Sequence, residues 1–591
     1  LYKKSINSAK ATHFSNCFSK SSNKCKYTWS VVSEIINTSS KTHSTITNLN
    51  AEDFNKLFME SVEEIASNIP DTNNFENFLN ALNKPSCSFE FQHTSVEEIF
   101  KTILQMKNNT CLDVYGISPN ILKYAADFVC EPLTHIFNCC FDDATFPEAF
   151  KFSKVVPIFK KNNNLEYKNY RPICIIPTIS KIFEKIIKKQ VTAYFERNKL
   201  FTSRQFGFRS NHSTVDAVVS LVGHCLDEIE NGNSVCNRFF DLSRAFDTVS
   251  HDVLLHKLKF YGFNNIGVNL IKSYLFGRYQ SVFYNNCSSN FMLCKTGVPQ
   301  GSVLGPLLFI IYVNDLPANI LSDVSLAYMY ADDLALTVYN KYNDLLTCKL
   351  MDINTRIIEW CNANRLKLNH SKTVDLKITT NNQHLSLTPC TKFLGIYLES
   401  SLSWQSHIDY IANKLSKSIF IIRVLKSYLN VEALLSVYYA HIYSHLSYGI
   451  LLWGNHSAIS KLFVLQKRCI RLICGAKLGE HCKPLFVSLG VLTLSSMYVL
   501  DCLLYVKKNI SNLYTLSSIH NRNTRNNLNI YQKKCKYSLT QKNFDYMSKK
   551  IYNSVPLNIR NLPISTFKRV VRTKLLSNPL YNVDDYFSLQ W

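Results

Sequence analysis

Glycine and proline are scarce in this sequence, at 16 residues each among 591. Their scarcity excludes collagen-like repeats and low-complexity segments that cannot bury a core. Hydrophobic residues make up 46% of the chain and aromatic residues 13%, which is enough to form sizeable cores. The length and composition therefore predict a folded chain of several structural units.

Long apolar runs are also missing. The longest clear one, residues 303–313, is shorter than the ~18 residues that a membrane span needs, and it contains glycine and proline. The first 30 residues are polar and lack the apolar segment of a signal peptide. We therefore expect no membrane partner. Because the chain begins with leucine rather than methionine, we also expect a fragment or an incomplete gene product.

Acidic residues are nearly absent near the C-terminus. Residues 521–580 hold thirteen Lys and Arg against one acid, Asp545, which is more than half of the net charge of +23. Charge this one-sided favours a nucleic acid partner, since each neutralised phosphate releases counterions. Five aromatic residues that could stack on bases are interleaved with these charges: Tyr531, Tyr537, Phe544, Tyr546 and Tyr552. Helices with a solvated basic face are the alternative interpretation.

The spacing of apolar residues predicts an α+β fold in which helices back a small sheet. Helices are predicted from a capping box at Ser95 and over residues 181–197, 213–232, 252–261 and 425–439. Strands are predicted over residues 235–241 and 280–284 and on both sides of Ala331-Asp332-Asp333.

Three carboxylates at strand ends form the strongest chemical pattern. Asp241 ends an apolar strand, and Asp332 and Asp333 lie at the tip of the predicted hairpin. Adjacent hairpin residues point to opposite faces, so we expect only Asp332 to share a site with Asp241. Converging carboxylates repel each other unless cations neutralise them, and Mg²⁺ prefers oxygen ligands. Two ions ~3.5–4 Å apart would suit an in-line displacement at phosphorus.

A glycine-rich loop lies between the two acidic positions along the chain. Gly297, Pro299 and Gly301 predict a fixed loop that leads into an apolar helix. Glycine lets the backbone approach a base pair closely, and Gln300 is expected to hydrogen-bond to the nascent pair or the template.

At this point the chain resembles the reverse transcriptase of non-LTR (LINE-type) retrotransposons of the Jockey/CR1 kind. Seven motifs occur in the order and at the spacing of that family, and they carry the resemblance: Tyr170-Arg-Pro-Ile173, Gln205-Phe-Gly-Phe-Arg209, Asp241-Leu-Ser-Arg-Ala-Phe-Asp-Thr-Val-Ser-His251, Gly297-Val-Pro-Gln-Gly-Ser-Val-Leu-Gly-Pro306, Tyr330-Ala-Asp-Asp333, Leu366-Lys-Leu-Asn-His-Ser-Lys-Thr373 and Phe393-Leu-Gly-Ile396. Weaker likeness continues towards the C-terminus.

The resemblance implies a right-hand polymerase with fingers, palm and thumb and a helical C-terminal extension. Residues 1–90 would be a linker or N-terminal extension, and residues 91–400 the fingers and palm, with the core at about 141–398. Residues 401–480 would be the thumb, and residues 481–591 a basic region that binds nucleic acid.

Catalytic roles are carried over from the matching motifs. Asp241 and Asp332 would bind both metal ions, with Asp333 as an accessory acid. Phe246 matches the steric gate that excludes a ribose 2′-hydroxyl, and Lys372 is a candidate general acid for pyrophosphate.

Binding roles are carried over in the same way. Arg171, with Lys160 or Lys161 upstream, would pair with the incoming triphosphate, because the planar guanidinium suits phosphate. Arg209 would touch the template or the triphosphate. Gln300 and Gly301 would face the dNTP and template, and the primer grip would include Phe393 and Gly395.

The activity that the resemblance implies is RNA-directed DNA synthesis by target-primed reverse transcription. The enzyme would extend a DNA 3′-hydroxyl on an RNA template, using dNTPs and two Mg²⁺ ions, with Mn²⁺ as an alternative in vitro. We expect it to act in the nucleus, with a cytoplasmic ribonucleoprotein stage, and to rely on a separate endonuclease source. An RNase H domain is not expected, since residues 402–575 hold only five dispersed acids.

Two departures from the family pattern leave alternatives open. Asn237 and Arg238 stand where the family has small apolar residues, and a buried Arg238 would be costly unless paired. A decayed or host-adopted nucleic-acid-binding relic is therefore the first alternative. The first finger reads Cys111-Leu-Asp-Val-Tyr-Gly116 instead of the commoner Gly-x-Asp-Gly. An RNA-dependent RNA polymerase is a second alternative, disfavoured by Phe246.

Overall fold

The computed structural model describes residues 2–21, 23–37, 49–70, 74–160, 162–321, 323–378, 390–519 and 526–591. The chain forms two compact units, each discontinuous in sequence. The central unit comprises Ser44–Ala217 and Cys236–Asp375, and the terminal unit comprises Leu1–His43, Val218–Val235 and Leu376–Trp591. The domain boundaries expected at residues 90, 400 and 480 stay predictions.

The central unit contains two sheets, which confirms a mixed fold of helices and strands. A four-stranded sheet runs in the order Ser325–Tyr330, Asp333–Asn340, Ser234–Phe240 and Val374–Ile378. A five-stranded sheet runs in the order Tyr170–Ile175, Phe152–Phe159, Arg278–Tyr284 and Cys287–Ser288, with Met292–Cys294 also paired to Arg278–Tyr284. The predicted strands at residues 235–241, 280–284 and around Asp332 are thus confirmed to within two residues.

The helices of the central unit carry the rest of its core. They are Ala51–Ser67, Phe75–Asn80, Val96–Leu104, Pro119–Tyr124, Ala126–Asp142, Thr178–Arg197, His251–Phe260, Asn265–Leu275, Gly305–Tyr312, Leu316–Ile320 and Asn343–Ala363, with 3₁₀ turns at Glu148–Phe150, Tyr167–Asn169 and His370–Lys372. The helix Thr214–Glu230 runs from the central into the terminal unit along the sequence. The predicted N-cap is confirmed, since the Ser95 side chain accepts a hydrogen bond from the Glu98 amide. The Glu98 carboxylate accepts from the Thr94 hydroxyl at 2.9 Å, so it does not complete a capping box.

The helix Gly305–Tyr312 lies at the centre of this core. It is apolar around its whole circumference and almost wholly buried, as expected of a helix with no solvent face. The buried carboxylate of Glu184 accepts hydrogen bonds from the amides of Val303, at 2.7 Å, and Leu304, at 3.0 Å. Glu184 therefore satisfies free N–H groups just before the helix begins, and it ties this helix to Thr178–Arg197.

The terminal unit is almost entirely helical. Its helices are Tyr2–Lys20, Lys24–Asn37, Gln405–Leu425, Val431–Tyr438, Ser444–Ser447, Ile450–Trp453, Ile459–Cys474, Lys483–Leu489, Leu494–Lys508, Leu516–Ile519, Ser538–Gln541, Phe544–Asn553, Leu557–Arg560 and Ile564–Ser577, with short π or 3₁₀ turns at Tyr439–Tyr443, Ile510–Asn512 and Asp584–Ser588. Among the described residues of this unit, the strands Cys390–Phe393 and Ile396–Glu399 form an antiparallel hairpin.

One helix prediction for the terminal unit is wrong in its boundaries. Instead of a single helix over residues 425–439, one helix ends at Leu425 and the next begins at Val431. The Asn430 side chain accepts a hydrogen bond from the amide of Ala433 at 2.9 Å. Asparagine is a strong N-cap because its side chain replaces a missing helical acceptor, so a new helix starts here.

Within the described ranges, none of the single helices combines the length and apolar composition needed to cross a membrane. Only the bent pair Lys483–Leu489 and Leu494–Lys508, which meet at 57°, reaches that length and composition jointly.

Candidate active site

Asp241 follows directly on the central strand Ser234–Phe240. Its carboxylate Oδ2 accepts hydrogen bonds from Lys372 Nζ at 2.8 Å and from Asn369 Nδ2 at 3.3 Å. The Asp241 carbonyl accepts a further bond from the Asn369 amide at 2.8 Å. The predicted Leu366-to-Lys372 motif therefore lies beside the first carboxylate and neutralises it.

Asp332 lies in a tight turn between the strands Ser325–Tyr330 and Asp333–Asn340. Tyr330 pairs with Asp333, so Ala331 and Asp332 alone form the loop of the predicted hairpin. Ala331 has a φ of 57°, which is in the left-handed region and unfavourable for a residue other than glycine. The turn next to Asp332 is strained and needs support from its surroundings.

That support comes from Gln205, which the motif analysis included without assigning it a role. Gln205 is fully buried, and its Oε1 accepts hydrogen bonds from the amides of Ala331, at 3.1 Å, and Gly207, at 2.8 Å. A Cβ on Gly207 would lie 2.4 Å from the Ala331 nitrogen, so only glycine fits there. The Gln-x-Gly spacing in the sequence was the signal for this close approach.

The three carboxylates influence one another electrostatically. Burial, together with the charges of Asp332 and Asp241, raises the pKa of Asp333 to about 6. Burial also raises the pKa of Asp332, with a contribution from Asp241 that is opposed by Arg171. Asp333 is exposed, whereas Asp241 and Asp332 are half-buried, and its charge lies within electrostatic range of both. The expectation that only Asp332 shares a site with Asp241 stays a prediction.

The donor set fits a hard cation by its chemistry, since it consists of carboxylate oxygens alone. Over the part of the chain that the structure describes, however, no three carboxylate, imidazole or thiol groups form a ready-made metal cluster. Lys372 holds Asp241 in an ion pair of 2.8 Å. A cation at Asp241 would have to exchange with this ammonium group.

Positive side chains gather beside the carboxylates. The pKa of Lys160 is lowered by partial burial and by repulsion from Arg171, Arg244 and Lys372. The structure thus brings together three residues predicted for triphosphate or pyrophosphate contacts and adds Arg244, which sequence reasoning missed. Lys161, the alternative to Lys160, lies outside the described residues.

Arg209 contacts protein groups in the structure, whereas the sequence predicted a contact with the template or the triphosphate. Its guanidinium donates from Nε and Nη2 to the Glu196 carboxylate, at 3.1 and 2.9 Å, and from Nη1 to the Thr202 carbonyl at 2.9 Å. Only 11% of the Arg209 side chain is exposed. These partners occupy its donors, so Arg209 stabilises the segment that carries Gln205.

Phe246, five residues after Asp241, packs against the hydrophobic core of the central unit. Its ring stacks on Phe309, with centroids 4.6 Å apart, and lies edge-on to Phe208 at 6.4 Å. Its carbonyl accepts a hydrogen bond from the Val298 amide at 2.8 Å. The ring is therefore held rigidly by core contacts, as a steric gate would require.

Gln300 and Gly301 lie in the loop predicted from its glycines. Gly297 and Gly301 both have positive φ, at 83° and 121°. The Gln300 side chain donates from Nε2 to both carboxylate oxygens of Asp247, each at 2.8 Å. The expected partner of Gln300 was a base pair or the template, whereas the structure pairs it with a protein carboxylate.

Phe393 and Gly395 belong to the hairpin of the terminal unit. Leu394 and Gly395 form its two-residue loop, with φ values of 45° and 86°, which suits the twist of a tight hairpin. The Tyr448 hydroxyl donates to the Leu394 carbonyl at 2.5 Å. Within this unit the loop is therefore fixed from one side, and Phe393 is buried at 4% exposure.

The basic C-terminal region is only partly available for stacking. Phe544 and Tyr552 are buried in the terminal unit, which excludes both from contact with bases in this conformation. Tyr531 and Tyr537 are 39% and 41% exposed. Among the basic groups, Lys549 pairs with Asp545. The predicted surface is thus smaller than its sequence suggested.

Comparison with known proteins agrees with this geometry. The family described as "Reverse transcriptase (RNA-dependent DNA polymerase)" matches residues 158–398, which include all three carboxylates. The chain is 29% identical over 437 residues to the "Probable RNA-directed DNA polymerase from transposon BS" of Drosophila melanogaster, covering 68% of this chain and 47% of that protein.

Two further relatives match the chain at a similar level of identity. The chain is 28% identical to the "Probable RNA-directed DNA polymerase from transposon X-element" of Drosophila melanogaster, with 64% of this chain and 44% of that protein covered. It is 27% identical to the "RNA-directed DNA polymerase from mobile element jockey" of Drosophila funebris, covering 65% and 44%. The chain spans less than half the length of these curated relatives. Residues 158–398 are therefore a reverse transcriptase domain, and the chain is homologous to the Drosophila proteins of the jockey mobile element, transposon BS and the X-element transposon.

Proposed function

We propose that this chain is an RNA-directed DNA polymerase of a non-LTR retrotransposon. It would extend a DNA 3′-hydroxyl on an RNA template by target-primed reverse transcription. One observation carries the proposal: Asp241, Asp332 and Asp333 are electrostatically coupled beside a cluster of positive side chains. Carboxylates that can hold cations, placed next to groups that can hold a triphosphate, are what nucleotidyl transfer requires.

The polymerase would follow the right-hand arrangement. Residues 91–400 would supply fingers and palm, residues 401–480 the thumb, and residues 481–591 a surface for RNA or target DNA. The hairpin with Phe393 and Gly395 would grip the primer. The glycine in its loop allows the positive φ of the turn and the close packing of the Tyr448 ring, whose hydroxyl keeps that loop in place.

The carboxylates would hold two Mg²⁺ ions, with Asp241 and Asp332 as ligands and Asp333 as an accessory acid. When bound, such ions activate the attacking hydroxyl and stabilise the leaving pyrophosphate. Lys372 pairs with Asp241 here, so its ammonium group would be released as the site fills. Once released, it would donate a proton to pyrophosphate as the general acid.

The positive cluster would orient the incoming nucleotide. Arg171 offers a planar fork of donors to the phosphates, and Lys160 adds a point charge. Because like charges already lower the pKa of Lys160, a triphosphate would relieve the repulsion within the cluster. Phe246 would reject a ribose, since its stacked ring leaves no freedom to move aside for a 2′-hydroxyl.

The partners proposed with this activity are an RNA template, a DNA primer or target, and dNTPs. The place of action would be the nucleus, after a cytoplasmic ribonucleoprotein stage, and a separate protein or domain would supply the endonuclease.

Primer extension tests the proposal directly. The purified chain is incubated with poly-rA, oligo-dT, dTTP and Mg²⁺, with EDTA as the metal-free reaction. Extension should occur with Mg²⁺ alone and disappear in Asp332→Ala. Asp344→Ala, which removes an exposed acid at the start of another helix, is the matched control and should extend normally.

A folded chain that binds RNA but shows no extension with Mg²⁺ or Mn²⁺ would contradict the proposal. The relic interpretation would then replace it. Extension that survives in Asp332→Ala would instead reject the carboxylate assignment while leaving the polymerase in place.

A further inference from the structure

Asp247 lies one residue after the proposed steric gate and has no role in the proposed chemistry. Its carboxylate accepts the Gln300 Nε2 hydrogen bonds at 2.8 Å on both oxygens. Gln300 is the polar side chain of the glycine-rich loop, and Phe246 carries the gate. Asp247 therefore links two elements that would both face the nucleotide.

The backbone of the loop is fixed against the Asp247 turn. The amides of Gly297 and Val298 donate to the carbonyls of Val249, at 2.9 Å, and Phe246, at 2.8 Å. A Cβ on Gly297 would lie 2.5 Å from the Asp247 carbonyl oxygen, so the two backbones are in direct contact. This side of the loop cannot shift without moving the gate residue.

The loop is fixed from its other side by Cys174. The Cys174 amide donates to the Gln300 carbonyl at 2.8 Å, and a Cβ on Gly301 would lie 2.5 Å from the Cys174 carbonyl oxygen. The backbone position of Gln300 is thus set by two neighbours. These backbone contacts do not determine the direction of the Gln300 side chain.

The surroundings of Gln300 offer its side chain another place to go. A cavity of about 300 Å³ adjoins the pair and is lined by Gln300 and Asp247 together with apolar side chains that include Phe58, Met59 and Val62. Because Gln300 itself lines this space, its side chain borders open volume. The charged hydrogen bonds to Asp247 are what hold it beside the nucleotide site.

The Asp247 carboxylate is well suited to this task. Burial raises its pKa, but the Gln300 hydrogen bond and the charges of Arg244, Arg171 and Lys160 oppose that shift. The same positive side chains form the proposed triphosphate cluster. The Asp247 carboxylate therefore stays within the electrostatic range of the cluster while it accepts both hydrogen bonds of the Gln300 side-chain amide.

We propose that Asp247 is a positioning residue that acts through Gln300. The Asp247 carboxylate binds the Nε2 donor, so the Oε1 acceptor of Gln300 points outward to a donor group of the nascent base pair. Without Asp247, the side chain could present either its donor or its acceptor. The inference rests on the proposed polymerase function. Loss of Asp247 lets the Gln300 side chain rotate into the cavity, so the enzyme binds dNTP less tightly while the metal carboxylates stay intact.

The test is a double-mutant cycle in primer extension, with dTTP KM and kcat measured for Asp247→Ala, Gln300→Ala and the double variant. Each single variant should raise KM about tenfold, the effect of losing one charged hydrogen bond, with a smaller change in kcat. The double variant should be no worse than Gln300→Ala, because the proposal has Asp247 act through Gln300. A further loss in the double variant would mean that Asp247 acts on the nucleotide through the positive cluster instead. Asp247→Asn, which keeps one acceptor, should recover part of the loss.

Asp252→Asn is the matched control, since it changes an exposed acid five residues along the same segment and should leave KM unchanged. Melting temperatures show that each variant is folded. Losses that multiply in the double variant, or a KM for Asp247→Ala equal to that of the wild type, would overturn the inference. A wild-type chain without extension would instead reject the proposed function, so the two failures are distinguishable.

Discussion

Arg238 and Asp375 form two parallel hydrogen bonds, from Nε to Oδ1 at 2.6 Å and from Nη2 to Oδ2 at 2.7 Å. They lie on neighbouring strands of the four-stranded sheet, Ser234–Phe240 and Val374–Ile378. The fork geometry of arginine matches a carboxylate in this arrangement. The arginine that seemed misplaced in an apolar strand therefore has a complete partner.

Asn237, the other departure from the family pattern, is also paired. Its Oδ1 accepts a hydrogen bond from the Thr337 hydroxyl at 2.5 Å, inside the same sheet. Both polar residues are thus satisfied by the fold, as buried polar groups must be. They no longer favour a decayed copy over a functional enzyme.

The first prediction concerns this ion pair. Asp375→Ala should lower the free energy of unfolding by about 1–2 kcal/mol, because Arg238, only 18% exposed, loses its partner. Urea denaturation measures the change. The control is Asp352→Ala, which breaks an exposed pair with Arg356 on one helix and should cost about 0.5 kcal/mol or less. Equal losses in the two variants would mean that the strand pair is no more stabilising than a surface pair.

The second prediction concerns the support of the Asp332 turn. Gln205→Leu should reduce extension by about tenfold or more, because the amides of Ala331 and Gly207 lose their buried acceptor and the strained turn relaxes. The reduction should appear in kcat and in the Mg²⁺ concentration needed for half-maximal rate, rather than in the KM for dTTP.

Gln105→Leu, at an exposed helix end, serves as its control and should leave the extension kinetics unchanged. A Gln205→Leu variant with normal Mg²⁺ dependence and normal kcat would show that Ala331 keeps its conformation without the hydrogen bond to the Gln205 side chain.

The third prediction concerns acid sensitivity in the terminal unit. His407 is 2% exposed, and burial, with a contribution from Lys392, lowers its pKa to about 4. A histidine with a lowered folded pKa stabilises the fold above its unfolded pKa, and that stability is lost as pH falls. Between pH 6.5 and pH 4 the chain should therefore lose about 2–3 kcal/mol through this residue.

His407→Gln should flatten this part of the curve of unfolding free energy against pH, whereas exposed His481→Gln should not. Measurements of chemical denaturation at several pH values test both. A wild-type curve and a His407→Gln curve with the same slope between pH 6.5 and 4 would reject the assignment.

The fourth prediction concerns the choice of sugar. Phe246→Ala should accept ribonucleotides at least about tenfold better relative to deoxynucleotides, because the ring that would meet a 2′-hydroxyl is gone. Single-nucleotide incorporation of rUTP and dTTP gives the ratio. Phe309→Leu, which disturbs only the residue stacked beneath Phe246, controls for altered packing. Unchanged discrimination in Phe246→Ala would remove the gate assignment.

Local patterns in the sequence were sufficient for much of the fold. The helix at Thr178–Arg197 follows from its apolar stripe, and the helix after Ser95 follows from its cap. The hairpin around Asp332 follows from apolar strands on both sides of a polar turn. Such features depend on residues within a few positions of one another, so periodicity and turn chemistry predict them.

The polar contacts within the site were not predictable in this way. Arg209 was expected to bind substrate, but its partner Glu196 lies 13 residues earlier, near the end of the helix Thr178–Arg197. Gln300 was expected to meet a base pair, but the fold places Asp247 beside it. Residue type indicates that a side chain will bind something polar, and only the neighbours decide what.

The sequence by itself determined which groups carry the chemistry: three carboxylates at strand ends, a glycine-rich loop and a set of positive side chains. Only the tertiary structure decided which residues pair with Arg238, Ala331 and Gln300. Their partners, Asp375, Gln205 and Asp247, lie 137, 126 and 53 residues away along the chain. The physical reason is that a hydrogen bond needs atoms within about 3 Å, and the order of strands in a sheet, which periodicity does not encode, sets those distances.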